Sequence, residues 1–441
     1  MESLKQMSPR FSHSSPSSSD CLYANSNYEV ETKKGEAVLH AGLKECVKRV
    51  IKHWKYADED ITVCALRGGI TNLLYTLTPM EMEDKTVIVR IYGEGTSLFV
   101  DRVTENIVFS SLSDRDIGPK FYGTFQNGRV EGYCDARTLT PEEMKDSILY
   151  PKTSMAIARL HSQDISEISH DVSLWTKLDS FFDFASTAMK SSYHNRESSE
   201  FKSGDFTLEE MREQSLILRK YMEDSRTKLI HDRSIAMNKP EKMRIDGRIF
   251  GYEVVLCHND LLSGNILLFN NIKDTLPSEA VMKEITQYSV EEKNSGSITP
   301  EEHSSSSVCV RNIPQDDGYS HRKESENFSN SFLIDPKSSQ KDMNMNMNMN
   351  TDGVTLIDFE YAAYNYRAWD IANHFNEFAG FDFNIEKDFP TKDRRIEFLK
   401  LYVKGVAESD SSLSQTPFKE IFKNREDLHD FVDGLEVKFK I

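Results

Sequence analysis

LCHNDLLSGNILL (256–268) sets His258, Asn259, Asp260 and Asn265 between two apolar runs, VVLC (254–257) and ILLF (266–269). Both runs have the length and composition of buried strands, which places the polar residues in the loop that joins them. Burying such groups without partners is costly, so the loop either holds itself together or binds something. Further on, VTLIDFEYAAYNYRAWDIANHFNEFAGF (354–381) reads as a strand followed by a helix. Its Asp358 follows the strand and lies two residues before Glu360, so on extended backbone the two carboxylates leave the chain on the same side.

The whole chain limits what this loop can serve. It has 441 residues, a formal charge of −17 and a pI near 5.3, which argues against nucleic acid or an anionic membrane as the main partner. A nucleotide is still allowed, because a metal ion or a few arginines can hold phosphates locally. The six cysteines (Cys21, Cys46, Cys64, Cys134, Cys257, Cys309) form no C-x-x-C pair and read as free thiols in a reducing compartment. The N-terminus MESLKQMSPRFSHSSPSSSD has no apolar core of signal-peptide length, and no run approaches about eighteen apolar residues. A cytoplasmic protein without membrane insertion is the expectation.

Residues 1–29 are rich in Ser and Pro, poor in large apolar side chains, and expected to be a disordered tail. From 36 to 55, Ala37, Val38, Leu39, Leu43, Val47, Val50, Ile51 and Trp54 recur at helical spacing. ITVCAL, NLLYTLT and TVIVRIY then read as three strands of a small antiparallel sheet. Residues 133–270 are mostly helical in pattern, as in SMAIARLHS (154–162). Residues 271–352 are thick with Ser, Asn, Lys and Glu and end in MNMNMNMN, a low-complexity insertion in which only VMKEITQY hints at a helix. Order on both sides implies one domain split by a loop insertion, which costs little in closure entropy. Roughly 330 residues remain for the fold, enough for a large core.

Asp260, Asn265, Asp358 and Glu360 make an oxygen-rich set of the kind Mg²⁺ prefers, provided the two segments meet. Taken singly, each carboxylate is more readily a salt-bridged loop junction. Taken together, H-x-D-x-x-x-x-N and a strand ending I-D-F form the catalytic and metal-binding pattern of kinase-like phosphotransferases. The separation from Asp260 to Asp358 is 98 positions, far longer than usual, and the insertion accounts for it.

HNDLLSGNILL together with IDFEYAAYNYRAWDIANHFNEFAGF resembles the paired signature of the choline/ethanolamine kinase family. The resemblance extends through GGITNLLY (68–75), IVRIYGEGTSLFVDR (88–102) and IGPKFYGTFQNGRVE (117–131), and HNDLL and NEFAG are more similar to ethanolamine kinases than to choline kinases. It implies an α+β, protein-kinase-like two-lobed fold: residues 30–132 as a nucleotide-binding lobe of antiparallel strands, and 133–441 as a larger, mainly helical catalytic lobe. It also implies ATP and Mg²⁺ as cofactors, an amino alcohol as substrate, and phosphoethanolamine as product, and it admits a homodimer.

By this resemblance Asp260 is the base, Asn265 and Asp358 hold Mg²⁺, and Arg90 faces the ATP phosphates with Glu105 as its ion-pair partner. Gly68 and Gly69, with Thr71 and Asn72, make a turn where backbone amides and a hydroxyl can approach phosphates, though Gly-Gly taken alone is more readily a plain hairpin. Asp370, His374 and Glu377 fall at i, i+4 and i+7 of one helix face. Asp370 is expected to brace the catalytic loop beside His258, His374 to be a hydrogen-bonded core residue, and Glu377 to meet the substrate ammonium. A carboxylate suits a primary ammonium with three N–H donors, whereas a quaternary one prefers an aromatic cage.

The chain departs from the pattern at two places. The nucleotide hinge falls near RVEGYCDAR, where Gly132 and Cys134 are atypical, and the sequence given stops at FVDGLEVKFKI, before the tryptophan-bearing helix that walls the family's substrate site. Trp54, Trp175 and Trp369 all lie upstream, so that wall is expected to be missing or replaced. Two alternatives therefore stay open: a choline kinase, or a non-catalytic nucleotide-binding or interaction protein.

Overall fold

Apolar helices and strands that the sequence makes legible are joined in this fold by strands that it hides. The computed structural model describes residues 23–66, 72–80, 82–93, 95–96, 100–193, 207–237, 250–270, 353–380, 384–409, 431–432 and 434–435. All belong to one compact unit formed by the segments 1–277 and 348–441, while 278–347 lie outside the described residues.

Helix α1 (Glu36–Val50) buries Leu39, Leu43, Cys46, Val47 and Val50, a stripe at three- and four-residue steps. It stops earlier than its apolar pattern, because Ile51 turns to extended backbone; Ile51 and Trp54 stay in the core from outside the helix. Strands β2 (Ile61–Leu66), β3 (Asn72–Pro79) and β4 (Val87–Tyr92) pair antiparallel as expected. On β4, Val87, Val89 and Ile91 alternate into the core that α1 covers, which turns Ile88, Arg90 and Tyr92 to the opposite face.

The sheet is twice the expected size, with six strands. Its order is β1-β5-β6-β4-β3-β2, where β1 is Ala24–Ser26, β5 Phe121–Phe125 and β6 Gly128–Gly132. Strand β1 corrects the expected tail of 1–29: residues 23–29 belong to the fold, and 1–22 lie outside the described residues. Composition could not show this, because β1 attaches through its backbone, in parallel register with β5, and leaves Ala24 and Asn25 exposed. At the contact, Gly123 has φ +146°, and a Cβ there would overlap the Ala24 carbonyl. Asn127 then fastens the next stretch, accepting from the Val30 amide (3.0 Å) and donating to its carbonyl (2.9 Å).

After helix α2 (Arg102–Ser113) and the β5–β6 hairpin, the chain enters a region dominated by helices α3 (Leu149–His161), α4 (Leu174–Tyr193) and α5 (Leu208–Met237). Two small strand groups organise the remainder of the fold. Strands β8 (Val254–Cys257) and β11 (Ala363–Tyr366) pair antiparallel, and β9 (Ile266–Phe269) joins β7 (Ala136–Thr138) and β10 (Val354–Leu356) in the order β10-β9-β7. Helix α6 (Arg367–Asn376) leaves β11 directly, and α7 (Lys392–Ser409) packs against α3.

The insertion 271–352, including VMKEITQY, lies outside the described residues, but its two flanks meet. Val354 pairs with Leu268, and the Phe269 amide donates to the Gly353 carbonyl at 3.2 Å. The insertion therefore joins adjacent antiparallel strands, where a short turn suffices. Replacing 271–352 by a turn of about two to four residues is expected to leave the melting temperature within about 2 °C of the full chain. A large loss of stability in thermal unfolding would mean that the insertion itself is part of the core.

Candidate active site

The loop after β8 is held from below by one carboxylate. Asp370, fully buried on α6, accepts the amide of His258 at Oδ2 (2.8 Å) and the amide of Asn259 at Oδ1 (2.7 Å), while His161 Nε2 lies 2.9 Å from Oδ2. Burial would raise this carboxyl, yet His161, His258 and the loop amide hold it below the usual range. The same helix binds the loop twice more. Asn373 Oδ1 accepts the Leu261 amide at 2.7 Å, and His374 Nδ1 donates to the Leu261 carbonyl at 3.2 Å.

Asn259 adopts φ +64°, which its side chain supports by donating to the carbonyls of Tyr361 (3.0 Å) and Ala363 (3.3 Å) and accepting from Asn365 (2.9 Å). The next residue, Asp260, is thereby aimed along with Asn265, whose Nδ2 donates to the Asp260 carboxylate and to its carbonyl, both at 2.9 Å. His258 Nε2 meets the Ile357 carbonyl at 2.8 Å, tying the loop to the segment that carries Asp358. Asp260 and Asp358 are thus brought near each other despite the separation in sequence, and the charge of Asp358 is felt at Asp260.

Burial raises the Asp260 carboxyl, and the charges of Asp358 and Asp370 push the same way against His258 and Asn265. Burial also raises Glu360, helped by Asp358 and Glu105, and raises Glu377, helped by Asp260. One expectation is corrected here. Asp358 and Glu360 do not share a face of extended backbone, because Asp358 is left-handed (φ +64°) and Glu360 sits in the 3₁₀ turn Phe359–Tyr361. Each instead faces its own arginine: Asp358 Oδ1 lies 3.6 Å from Arg90, Glu360 Oε2 lies 3.6 Å from Arg102, and both oxygens are buried with no hydrogen-bond donor. At that distance an ion pair satisfies charge and leaves the lone pairs unused.

Buried carboxylate oxygens without donors, on a segment tied to Asn265 by the Ile357 amide donating to its carbonyl (3.0 Å), fit a hard divalent cation. The tightest His/Cys/Asp/Glu triad among the described residues is a different one, His161, Cys257 and Asp370, with donor atoms within 4.8 Å. That triad spends its atoms on hydrogen bonds, and burial with the Asp370 charge keeps the Cys257 thiol protonated. It packs the interior.

On the sheet side the expected Arg90–Glu105 pair is replaced by a longer network. Arg90 and Arg129 are directly opposite each other on β4 and β6, an arrangement that needs anions alongside. Glu131, two residues past Arg129 and so on the same face, accepts from Arg90 Nε at 2.9 Å, leaving Glu105 to Arg129 and to Arg102 Nη1 (2.6 Å). Burial acts to raise Glu105 and Glu131, but Arg129 and Arg102 hold the first, and Arg90 and Arg129 the second, below the ordinary range. Arg102 also donates to Thr96 (2.8 Å) and approaches Asn72 Oδ1 (3.4 Å). Gly68, Gly69 and Thr71 lie outside the described residues.

Glu377 sits one position past the end of α6, where its αR backbone keeps it near the face of Asp370 and His374, 3.5 Å from Asn373 Nδ2. Sequence reasoning missed Arg102, Arg129, Glu131 and Asn373, and it singled out Asn259 without giving it a role. Arg129 and Glu131 lie on a strand that its glycines hide in the sequence, so their common face beside Arg90 is visible only in three dimensions.

The profile of the choline/ethanolamine kinase family matches residues 63–436. The chain belongs to that family. A probable ethanolamine kinase of Arabidopsis thaliana is 26% identical over 395 residues, covering 88% of this chain and 76% of its own length. Probable ethanolamine kinase A of Dictyostelium discoideum is 24% identical, covering 84% and 76%. Among solved structures, an ethanolamine kinase of Plasmodium vivax superposes with a TM-score of 0.52 at 17% identity, covering 94% of this chain and 87% of that one. The fold is thus the expected α+β, protein-kinase-like one.

His374 yields a test of how α6 supports the loop. Burial pushes its imidazole down from 6.5 to about 4, so the unfolded chain takes up a proton first as pH falls. Its contribution is whole above pH 6.5 and is lost as pH falls toward about 4. His374→Asn keeps a donor for Leu261 but cannot titrate. Between about pH 7 and pH 5 the wild type is expected to lose about 2 kcal/mol more than the variant in denaturant unfolding.

Proposed function

We propose that this member of the choline/ethanolamine kinase family transfers the γ-phosphoryl group of ATP to the hydroxyl of ethanolamine, yielding phosphoethanolamine and ADP for phospholipid synthesis. The observation that carries the reading is Asp260. It is aimed by Asn259, bonded to Asn265, and within electrostatic reach of Asp358 and Glu377. The names of the relatives in Arabidopsis and Dictyostelium support the choice of ethanolamine.

In this mechanism Asp260 orients the hydroxyl and accepts its proton late in an in-line transfer. Its raised pKa suits that task, since a base serves best when the proton leaves as the phosphorus–oxygen bond forms. Asn265 and Asp358 would hold Mg²⁺, whose chemistry is to offset negative charge on the phosphates. Arg90, fixed by Glu131, adds positive charge from the lobe of residues 30–132, preorganised by the buried network behind it. Glu377, half-buried and electrostatically coupled to Asp260, would receive the ammonium through charge-assisted N–H bonds. Choline has no N–H to give, so the same carboxylate favours the primary amine. A cytoplasmic setting is part of the proposal, supported by Cys46, Cys64, Cys134 and Cys257, all free.

A coupled assay with ATP, Mg²⁺ and either amine tests the reading. Ethanolamine should be turned over faster than choline at equal concentration; the reverse preference overturns the substrate. Asp260→Asn should lower kcat by about 10²–10⁴-fold with the melting temperature retained, and unchanged turnover would refute the base. Glu377→Gln should raise KM for ethanolamine several-fold while leaving KM for ATP alone.

A further inference from the structure

Asp370 holds the catalytic loop, and what orients Asp370 lies deeper in the molecule. Arg367, at the start of α6, donates from Nη1 to the Tyr402 hydroxyl of α7 (2.6 Å) and from Nη2 to Glu253 (2.9 Å). A guanidinium has donors and no acceptor, so the Tyr402 oxygen must accept there and its own proton is directed elsewhere. The remaining partner is His161 Nδ1, at 2.6 Å. With Nδ1 accepting, the neutral ring carries its hydrogen on Nε2, which faces Asp370 Oδ2 at 2.9 Å. That oxygen also takes the His258 amide, and its twin takes the Asn259 amide.

Every member is inside the protein: Arg367 is 5% exposed, His161 3%, and Tyr402 and Asp370 0%. Water has little access to substitute for a lost partner at such depth. Burial also lowers the His161 pKa, aided by Arg367 and His258 against Asp370, so the ring is neutral at working pH and the direction of its hydrogen matters.

We propose that Arg367, Tyr402 and His161 form a directed hydrogen-bond relay that fixes the His161 tautomer and thereby seats the Asp370 carboxylate under the catalytic loop. Tyr402 and His161 are then positioning residues for Asp260. Without the Tyr402 hydroxyl, the ring gains access to the Nδ1–H form, which turns a bare nitrogen lone pair toward Asp370 Oδ2. Two acceptors in contact repel, and the carboxylate shifts away from the two amides it holds.

The chemistry is tested in the full chain with ¹⁵N-labelled histidine, the His161 signals being assigned by their disappearance in His161→Asn. Wild type should show Nε2–H and bare Nδ1 at His161 from about pH 6 to 8, and Tyr402→Phe should move it toward a mixture. An Nδ1–H tautomer or an even mixture in the wild type overturns the relay. For activity, which rests on the kinase reading of Asp260, Tyr402→Phe should lower kcat about 10-fold with KM for ATP and amine unchanged. His161→Gln, which restores a donor to Asp370, should keep more kcat than His161→Leu. Wild-type kcat in Tyr402→Phe, or equal loss in the two His161 variants, also overturns it. The tautomer is read without substrate, so failure of the ethanolamine reading leaves that arm intact and decisive.

Discussion

Two nested antiparallel pairings make the site. Strand β9 pairs with β10 so that Ile266 faces Leu356, and β8 pairs with β11 so that Cys257 faces Ala363. The segment between the first members, 258–265, must then run beside the segment between the second, 357–362. Asp260 and Asn265 lie on one, Asp358 and Glu360 on the other. Backbone pairing, which carries no chemical specificity, is thus what assembles the chemistry. It also explains why a long intervening segment is tolerated: the register is set by the strands, and each doubling of a loop adds only about 0.6 kcal/mol of closure entropy.

Charge is handled by a different device. Six ionisable groups, Arg90, Arg102, Glu105, Arg129, Glu131 and Glu360, are withdrawn from water around the start of α2 and the β4–β6 ladder. Buried ion pairs of this kind add little net stability, because desolvation offsets their attraction. Their value lies in position. Arg90 cannot swing away while Glu131 grips its Nε, and its Nη1 is left pointing at Asp358. Removing one partner would strand another charge in the interior, so the network behaves as a unit, and a substitution at Glu105 reaches Glu360 through Arg102.

Legibility in the sequence followed the kind of force involved. VVLC, ILLF, ITVCAL and TVIVRIY were readable because burial selects apolar residues in runs of strand length, and α1 because burial on one face selects them at helical spacing. Strands β1, β5 and β6 were not, since glycines and polar residues interrupt them and their backbone pairing secures them. At the site, the pattern around Asp260 and Asn265 was readable as a motif. The partner of Glu105 was not, because choosing between Arg90 and Arg129 depends on which cross-strand neighbour Glu131 satisfies first, a three-dimensional fact. Extended geometry at Asp358 failed for a related reason: a left-handed residue leaves no trace in side-chain pattern.

That left-handed geometry recurs where it has a use. Three described non-glycine residues have positive φ, and two of them, Asn259 and Asp358, lie on the two facing segments 258–265 and 357–362. Each conformation costs about 1–2 kcal/mol for an L-residue, so both persist only because their surroundings over-determine them. For Asn259 the surroundings are three carbonyls, the Asn365 amide and Asp370. Asp358 has no such harness on its side chain, whose Oδ1 is buried and donorless. One strained residue is therefore locked by the protein, while the other holds a buried carboxylate oxygen that no hydrogen-bond donor reaches.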